Sequence, residues 1–206
     1  MKLFYTPGAC SLGIHVLLEE LGLPHEGVLV NLREGQQFSD EYRAINPKAK
    51  VPAVVLDDGA VLTEWIAIAH YLAATNPQAQ LVPSAPVEAA RCNELVAYIN
   101  GWMHPQGFTR IFRPDRFAPN PEDKEAVREQ GRKIFAEGFD LIDNVLADGR
   151  EWLLGSFSIA DAALFYVSFW AEGRQTLKLP PHVAAHYARM KARPAVARAM
   201  EQERLS

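Results

Sequence analysis

The chain has 206 residues, 49% of them apolar, with 25 acidic and 21 basic residues and a net charge of −4. These values predict one large or two small folded domains and exclude a largely disordered chain. They also exclude the basic footprint of a nucleic-acid binder and a polybasic membrane surface, so neither nucleic acid nor membrane is an expected partner. No run approaches the roughly 18 apolar residues of a bilayer span.

The predicted elements begin with a strand over Lys2–Tyr5, stopped by Pro7 and Gly8. Ile14, Leu17, Leu18 and Leu21 recur at helical spacing, and Gly22 with Pro24 ends that helix. Gly27–Leu32 reads as a second strand. Ala53–Leu56 and Ala60–Leu62, joined by Asp57-Asp58-Gly59, read as a hairpin. Trp65, Ile68, Ala69 and Leu72 mark another helix, with Thr63 as its expected cap. The order is βαβ, a short helical stretch, then ββα. The fold class is therefore α/β plus all-α, a small mixed sheet with helices followed by a helical bundle. A proline-rich linker at about 78–86 is expected to divide 1–77 from 87–206. In the second part, Phe135, Phe139, Ile142 and Leu146 mark one long helix, and Ile159, Ala163, Tyr166, Val167 and Trp170 another.

Cys10 follows the first strand where the first helix begins. Unpaired N–H groups and the positive end of the helix dipole favour a thiolate there. No C-x-x-C pair exists, so any redox cycle needs an external thiol. Ser11 and Tyr5 offer hydroxyls that could stabilise a bound thiolate, against plainer readings as a helix cap and a strand-end core residue. Val51-Pro52 precedes a strand; if its bond is cis, Val51 can turn its N–H and C=O toward a peptide-like ligand. Glu64 could accept a ligand ammonium while nearby helix N–H groups hold a carboxylate. Ser158 and Asp161 form a capping-box variant and read as structural. His104, beside Pro105 and Gly107, lies where a helix should bend. Cys92 reads as an inert helical residue. Two cysteines are too few for a disulfide framework, and the expected compartment is a reducing, cytoplasmic one. Neither they nor the scattered histidines show a zinc-ligand spacing, so no metal is expected.

Four segments, MKLFYTPGACS, NPKAKVPA, LTEWIAIAHYL and FSIADAALF, occur in one order. Together they resemble a bacterial beta-class glutathione transferase, over nearly the whole chain from Met1 to about Pro194. The resemblance implies a thioredoxin-like N-terminal domain that binds glutathione as co-substrate. It also implies an all-helical C-terminal domain that supplies the pocket for a small hydrophobic electrophile, a homodimer, and a role in detoxification. Cys10, with Ser11 and Tyr5, is then catalytic. The glutathione-binding set is Cys10, Arg33, Lys50, Val51, Pro52, Glu64, Trp65 and His104. Phe108, Phe112 and Trp170 are the expected walls of the second pocket, and Asp161 is the folding-motif aspartate. Four features depart from the class pattern: Trp65 replaces a small residue, Ala97 replaces an asparagine, one extra residue separates His104 from Phe108, and the Arg33-Glu34-Gly35-Gln36 loop is shorter, with Arg33 in place of a lysine. The implied chemistry is conjugation by an activated glutathione thiol, thiol–disulfide exchange through Cys10, or both. The rival reading is a binding or regulatory module of the same fold without catalysis.

Overall fold

The computed structural model describes residues 1–173 and 177–205. It divides into two compact units, Met1–Leu81 together with the tail from Lys191, and Val82–Met190. The sequence predicts a single cut at 78–86. The difference is the tail, which packs on the first helix and makes the first unit from two stretches of chain.

The first unit is built on a four-stranded sheet, with β1 at Lys2–Tyr5, β2 at Glu26–Leu29, β3 at Ala53–Val55 and β4 at Val61–Thr63. The strand order is β2-β1-β3-β4, with β1 parallel to β2 and antiparallel to β3, and β3 antiparallel to β4. The β3–β4 turn is closed by Gly59 at φ 87° and by an Asp58 side chain that accepts the Ala60 N–H, as the Asp-Asp-Gly signal predicts. β2 is shorter than Gly27–Leu32. Val30 still donates to the Tyr5 carbonyl, but Asn31 then turns the chain by accepting the Arg33 and Glu34 N–H groups on its side chain.

Helix α1, Ser11–Glu20, buries eight of its ten residues. It packs on α3, Trp65–Thr75, and on α9, Pro194–Gln202. A helix covered on several sides needs apolar residues all round rather than in one stripe. Side-chain alternation in β1 separates two cores. Leu3 is fully buried, while Phe4 joins Val30, Tyr42, Val51 and Ala53 in a second cluster. Tyr42 comes from α2, Asp40–Ile45, capped by the Ser39 hydroxyl on the Tyr42 N–H. The larger of these buried side chains, Leu3, Phe4, Val30 and Val51, each contribute roughly 1.5–3 kcal/mol of transfer free energy. The tail is held by ion pairs: Arg193 with Glu20, and Arg198 with Glu19 at 2.6 Å.

The second unit is helical. Its elements are α4, Pro86–Tyr98, a π-helical stretch over Ile99–Phe108, α5, Thr109–Phe112, α6, Lys124–Leu146, α7, Ile159–Gly173, and α8, Pro181–Lys191. Gly131 and Gly138 let α6 approach the π-helical stretch. A Cβ at Gly131 would lie 2.8 Å from the Gly107 carbonyl oxygen, and one at Gly138 would lie 2.7 Å from Met103 Cγ. Asp161 is fully buried and organises the start of α7. Its carboxylate accepts the Ser158 N–H and hydroxyl, both at 2.9 Å, and the Leu153 N–H at 3.0 Å. His186 Nε2 lies 2.9 Å from the same group. The capping box predicted at Ser158 is therefore the core of a larger buried network.

Candidate active site

The loop Thr6–Ala9 carries the chain from β1 into α1. The Ala9 N–H returns to the Thr6 carbonyl, Gly8 takes φ 65°, and Cys10 becomes the N-cap residue. The Cys10 thiol donates to the Val51 carbonyl at 3.3 Å. The Val51-Pro52 bond is cis, and the Val51 N–H has no hydrogen-bond partner among the described residues. The turn leading to Val51 is fastened by Tyr42 and Asn46, whose hydroxyl and amide donate to the Lys50 carbonyl at 2.6 and 2.7 Å. The Lys50 side chain is exposed.

Glu64 is the N-cap residue of α3 and has φ 71°, a left-handed conformation that costs a non-glycine residue about 1–3 kcal/mol and clusters at functional sites. Its exposed carboxylate pairs with Lys48 at 2.9 Å. Thr63, expected to cap this helix, instead accepts a hydrogen bond from Lys48 Nζ. Trp65 turns inward and is 5% exposed. Its indole N–H donates to the Cys10 carbonyl at 3.1 Å. The Trp65 indole thus ties the start of α3 to the start of α1.

The surroundings of Cys10, Ser11 and Tyr5 differ from one another. Burial pushes the Cys10 thiol up to about 12. The N–H groups of Cys10 and Ser11 and the charge of Lys50 pull it down, but they do not outweigh the desolvation. The helix dipole therefore does not make Cys10 itself a thiolate. Ser11 is fully buried, and its hydroxyl donates to the Thr6 carbonyl while accepting the Thr6 N–H, both at 3.3 Å. That hydroxyl fastens the loop to Thr6. Tyr5 lies 5.8 Å from the His15 ring and touches Gly27. Burial, with the charge of Glu203, pushes its hydroxyl up. Its described contacts thus place Tyr5 among His15, Gly27 and the tail rather than against Cys10. Arg33 is exposed in the turn after β2.

Within the second unit, the π-helical stretch carries His104 and ends at Phe108. Thr109 returns its N–H to the His104 carbonyl five residues earlier, and Pro105, which has no N–H to give, sits inside this wider helix. His104 stands edge-on to Trp170 at 4.7 Å, and Tyr166 donates its hydroxyl to Asn100 Oδ1 at 2.8 Å. Phe108 stacks on Trp170 at 4.1 Å, and Phe112 stacks beside Phe108 at 5.7 Å. Phe108 and Trp170 are buried, whereas Phe112 is 58% exposed. Of the three expected pocket walls, Phe112 alone presents a largely open face.

Residues 8–75 match the family model described as glutathione S-transferase, N-terminal domain, and residues 125–199 match that of the C-terminal domain. Across the whole of both chains, the sequence is 41% identical to glutathione S-transferase GstA of Escherichia coli O157:H7. The chain belongs to the glutathione S-transferase family. Among solved structures, a glutathione transferase homologue from Sulfitobacter with bound glutathione superposes at a TM-score of 0.89, with 32% identity over 98% of this chain and 97% of that one. The beta-class glutathione S-transferase of Sphingomonas chungbukensis superposes at 0.84, with 30% identity over 100% of both chains. The resemblance read from the four segments, and the thioredoxin-like fold it implied, agree with these comparisons.

In this family member one pair of site residues has no counterpart in the sequence reading. Glu203, buried in the tail, accepts the Gly8 N–H at 2.8 Å and lies 2.9 Å from His15 Nδ1. Gln202 donates its amide to Glu19, so its Oε1 faces His15 Nε2 at 2.7 Å. Both imidazole nitrogens therefore face acceptors, which favours the doubly protonated ring. Burial opposes that charge, but the hydrogen bond and charge of Glu203, with Gln202 and Glu19, hold His15 above its ordinary value. The loop that presents Cys10 thus rests on a buried ion pair contributed by the tail. An acidic residue near a chain end carries no local signal of such a role.

Proposed function

We propose that the first unit binds glutathione along the edge formed by Cys10, Val51 and Glu64, and activates its thiol for attack on a small hydrophobic electrophile. The free N–H of Val51 suits the cysteinyl carbonyl, and the exposed carboxylate of Glu64 suits the γ-glutamyl ammonium. The first-turn N–H groups of α3 suit the neighbouring carboxylate. Arg33 and Lys50, both exposed cations, supply positive charge for the remaining carboxylate. In the helical unit, His104 remains a proposed contact, and Phe108, Phe112 and Trp170 are the proposed acceptor walls.

The observation that carries the mechanism is the Cys10 thiol at the N-terminus of α1, where it donates to the Val51 carbonyl at 3.3 Å. A thiol that keeps its proton can donate it in a hydrogen bond to a neighbouring glutathione thiolate. Together with the helix N–H groups, that donation lowers the ligand thiol toward neutrality. In conjugation the glutathione sulfur forms a bond to the electrophilic carbon, and the leaving group departs with its electron pair. The thiol proton passes to solvent. Thiol–disulfide exchange through Cys10 is then the slower activity, because its own thiolate is scarce. The maintained Cys10, Val51-Pro52 and Glu64 favour this enzyme over a non-catalytic module. We further propose a homodimer, a detoxification role and a reducing cytoplasmic setting, supported by family membership and by two free cysteines.

Cys10→Ala tests this. We expect conjugation of a chlorodinitrobenzene to fall by about 10- to 100-fold, the worth of one charge-assisted hydrogen bond. The reducible glutathionyl adduct formed with oxidised glutathione should disappear from the mass spectrum. Unchanged conjugation would remove Cys10 from the mechanism. Failure of the wild-type protein to bind glutathione in a calorimetric titration would revive the non-catalytic reading.

A further inference from the structure

On the face of α1 away from Cys10, His15, Glu19 and His25 bring one ligand atom each to within 4.8 Å of one another. His15 and Glu19 stand four residues apart on one helix face, and His25 returns from the turn that leads into β2. The two imidazoles are oriented as metal ligands usually are. His25 Nδ1 lies 2.9 Å from the Leu23 carbonyl, which leaves Nε2 directed toward Glu19 Oε1 at 3.9 Å. His15 Nδ1 faces the Glu203 carboxylate at 2.9 Å, which leaves Nε2 on the side of Gln202. A ring whose Nδ1–H is held by a carbonyl or a carboxylate has its Nε2 fixed in direction. Arg198 pairs with Glu19 Oε2 at 2.6 Å, and Oε1 accepts the Gln202 amide at 2.9 Å. A pocket of about 370 Å³ lined by Glu19, Gly22, Leu23, His25, Arg198 and Gln202 leads to the cluster.

We propose that this cluster is a binding site for a divalent transition metal of the zinc type, with His15 Nε2, Glu19 Oε1 and His25 Nε2 as ligands. The donor set of two imidazoles and one carboxylate suits such an ion, and a water would complete four-coordination. Ligation at about 2.0–2.1 Å needs the donor atoms about 3.3 Å apart, so the three close inward by roughly an ångström. The Gln202 amide, which now bridges His15 Nε2 and Glu19 Oε1, moves aside. The ion takes the place of the His15 Nε2 proton, which passes to solvent. Arg198 stays on the far oxygen of Glu19, and Glu203 behind His15 offsets part of the added charge. Because Glu203 also holds the Gly8 N–H, the site is one residue removed from the loop that presents Cys10.

The experiment is a calorimetric titration of reduced, chelator-stripped protein with zinc chloride, paired with a visible spectrum of the protein loaded with cobalt(II). We expect one zinc per chain and a four-coordinate cobalt spectrum without a thiolate charge-transfer band. Affinity should fall by at least about tenfold in Glu19→Gln and in His25→Ala, and persist in Cys10→Ser. Absence of zinc binding to the wild-type protein overturns the proposal. So does binding that survives both ligand substitutions, is lost in Cys10→Ser, or gives a cobalt–thiolate band. The cobalt spectrum needs no variant, so a poorly folded His25→Ala does not decide the outcome.

Discussion

The carboxylate of Glu203 accepts the Gly8 N–H at 2.8 Å, across 195 residues of sequence. It is 1% exposed, and its other oxygen faces His15. One tail residue therefore closes the β1–α1 loop and neutralises the imidazolium beneath it. Glu203→Ala removes the acceptor of the Gly8 N–H and the buried carboxylate that faces His15 Nδ1. We expect a loss of about 3–5 kcal/mol in urea unfolding and weaker glutathione binding. Glu203→Gln keeps the shape and should lose less than half of that. A midpoint unchanged in Glu203→Ala would show that the tail does not support the loop.

The same pair sets a pH dependence. The folded-state value of His15 lies above its ordinary one. Its contribution to stability is thus fully present below the unfolded value of about 6.5, and is lost as pH rises through the raised folded value. Urea midpoints should fall as pH increases from about 6 into the mildly alkaline range. His15→Gln should flatten that slope. An equal slope in wild type and variant would assign the dependence to other groups.

Cys10 should be slow to alkylate before ligand binds. With its thiol near 12 rather than about 8.5, its thiolate fraction at pH 7.5 falls by roughly three powers of ten. The greater nucleophilicity of a more basic thiolate recovers about half of that on a logarithmic scale, leaving iodoacetamide about 30- to 100-fold slower than with free cysteine. Peptide mapping separates Cys10 from Cys92, which is also pushed up by burial, to about 11. A reaction as fast as that of free cysteine would contradict the protonated-donor mechanism.

Asp161 should be the costliest surface-free polar residue to replace in the helical unit. Asp161→Ala strands the donors of Leu153 and Ser158 and the facing His186 nitrogen. The expected loss is about 3–5 kcal/mol, several times that of an exposed helix cap. Thermal unfolding should shift by about 10 °C or more. A shift of one or two degrees would mean that the capping box acts alone.

Much of this protein is written locally. Strand β1, the Pro7–Gly8 stop, helix α1 and the Asp-Asp-Gly hairpin follow from neighbours a few residues apart, because turn chemistry and apolar periodicity act over that range. So do the placement of Cys10 at a helix start, Val51-Pro52 before a strand and Ser158 with Asp161 at a cap. The family resemblance rests on the same short segments. Tertiary structure decided what those residues do. Whether Cys10 carries a charge depends on a contest between helix N–H groups and desolvation, and only packing sets the desolvation. Ser11 and Tyr5 lie beside Cys10 in sequence, yet one fastens the loop and the other faces His15. Glu203 enters the first unit because α9 folds back onto α1 through Arg193 and Arg198. Contacts between residues nearly two hundred positions apart have no period or spacing to read, since they arise from the surfaces that helices and strands present once they have packed.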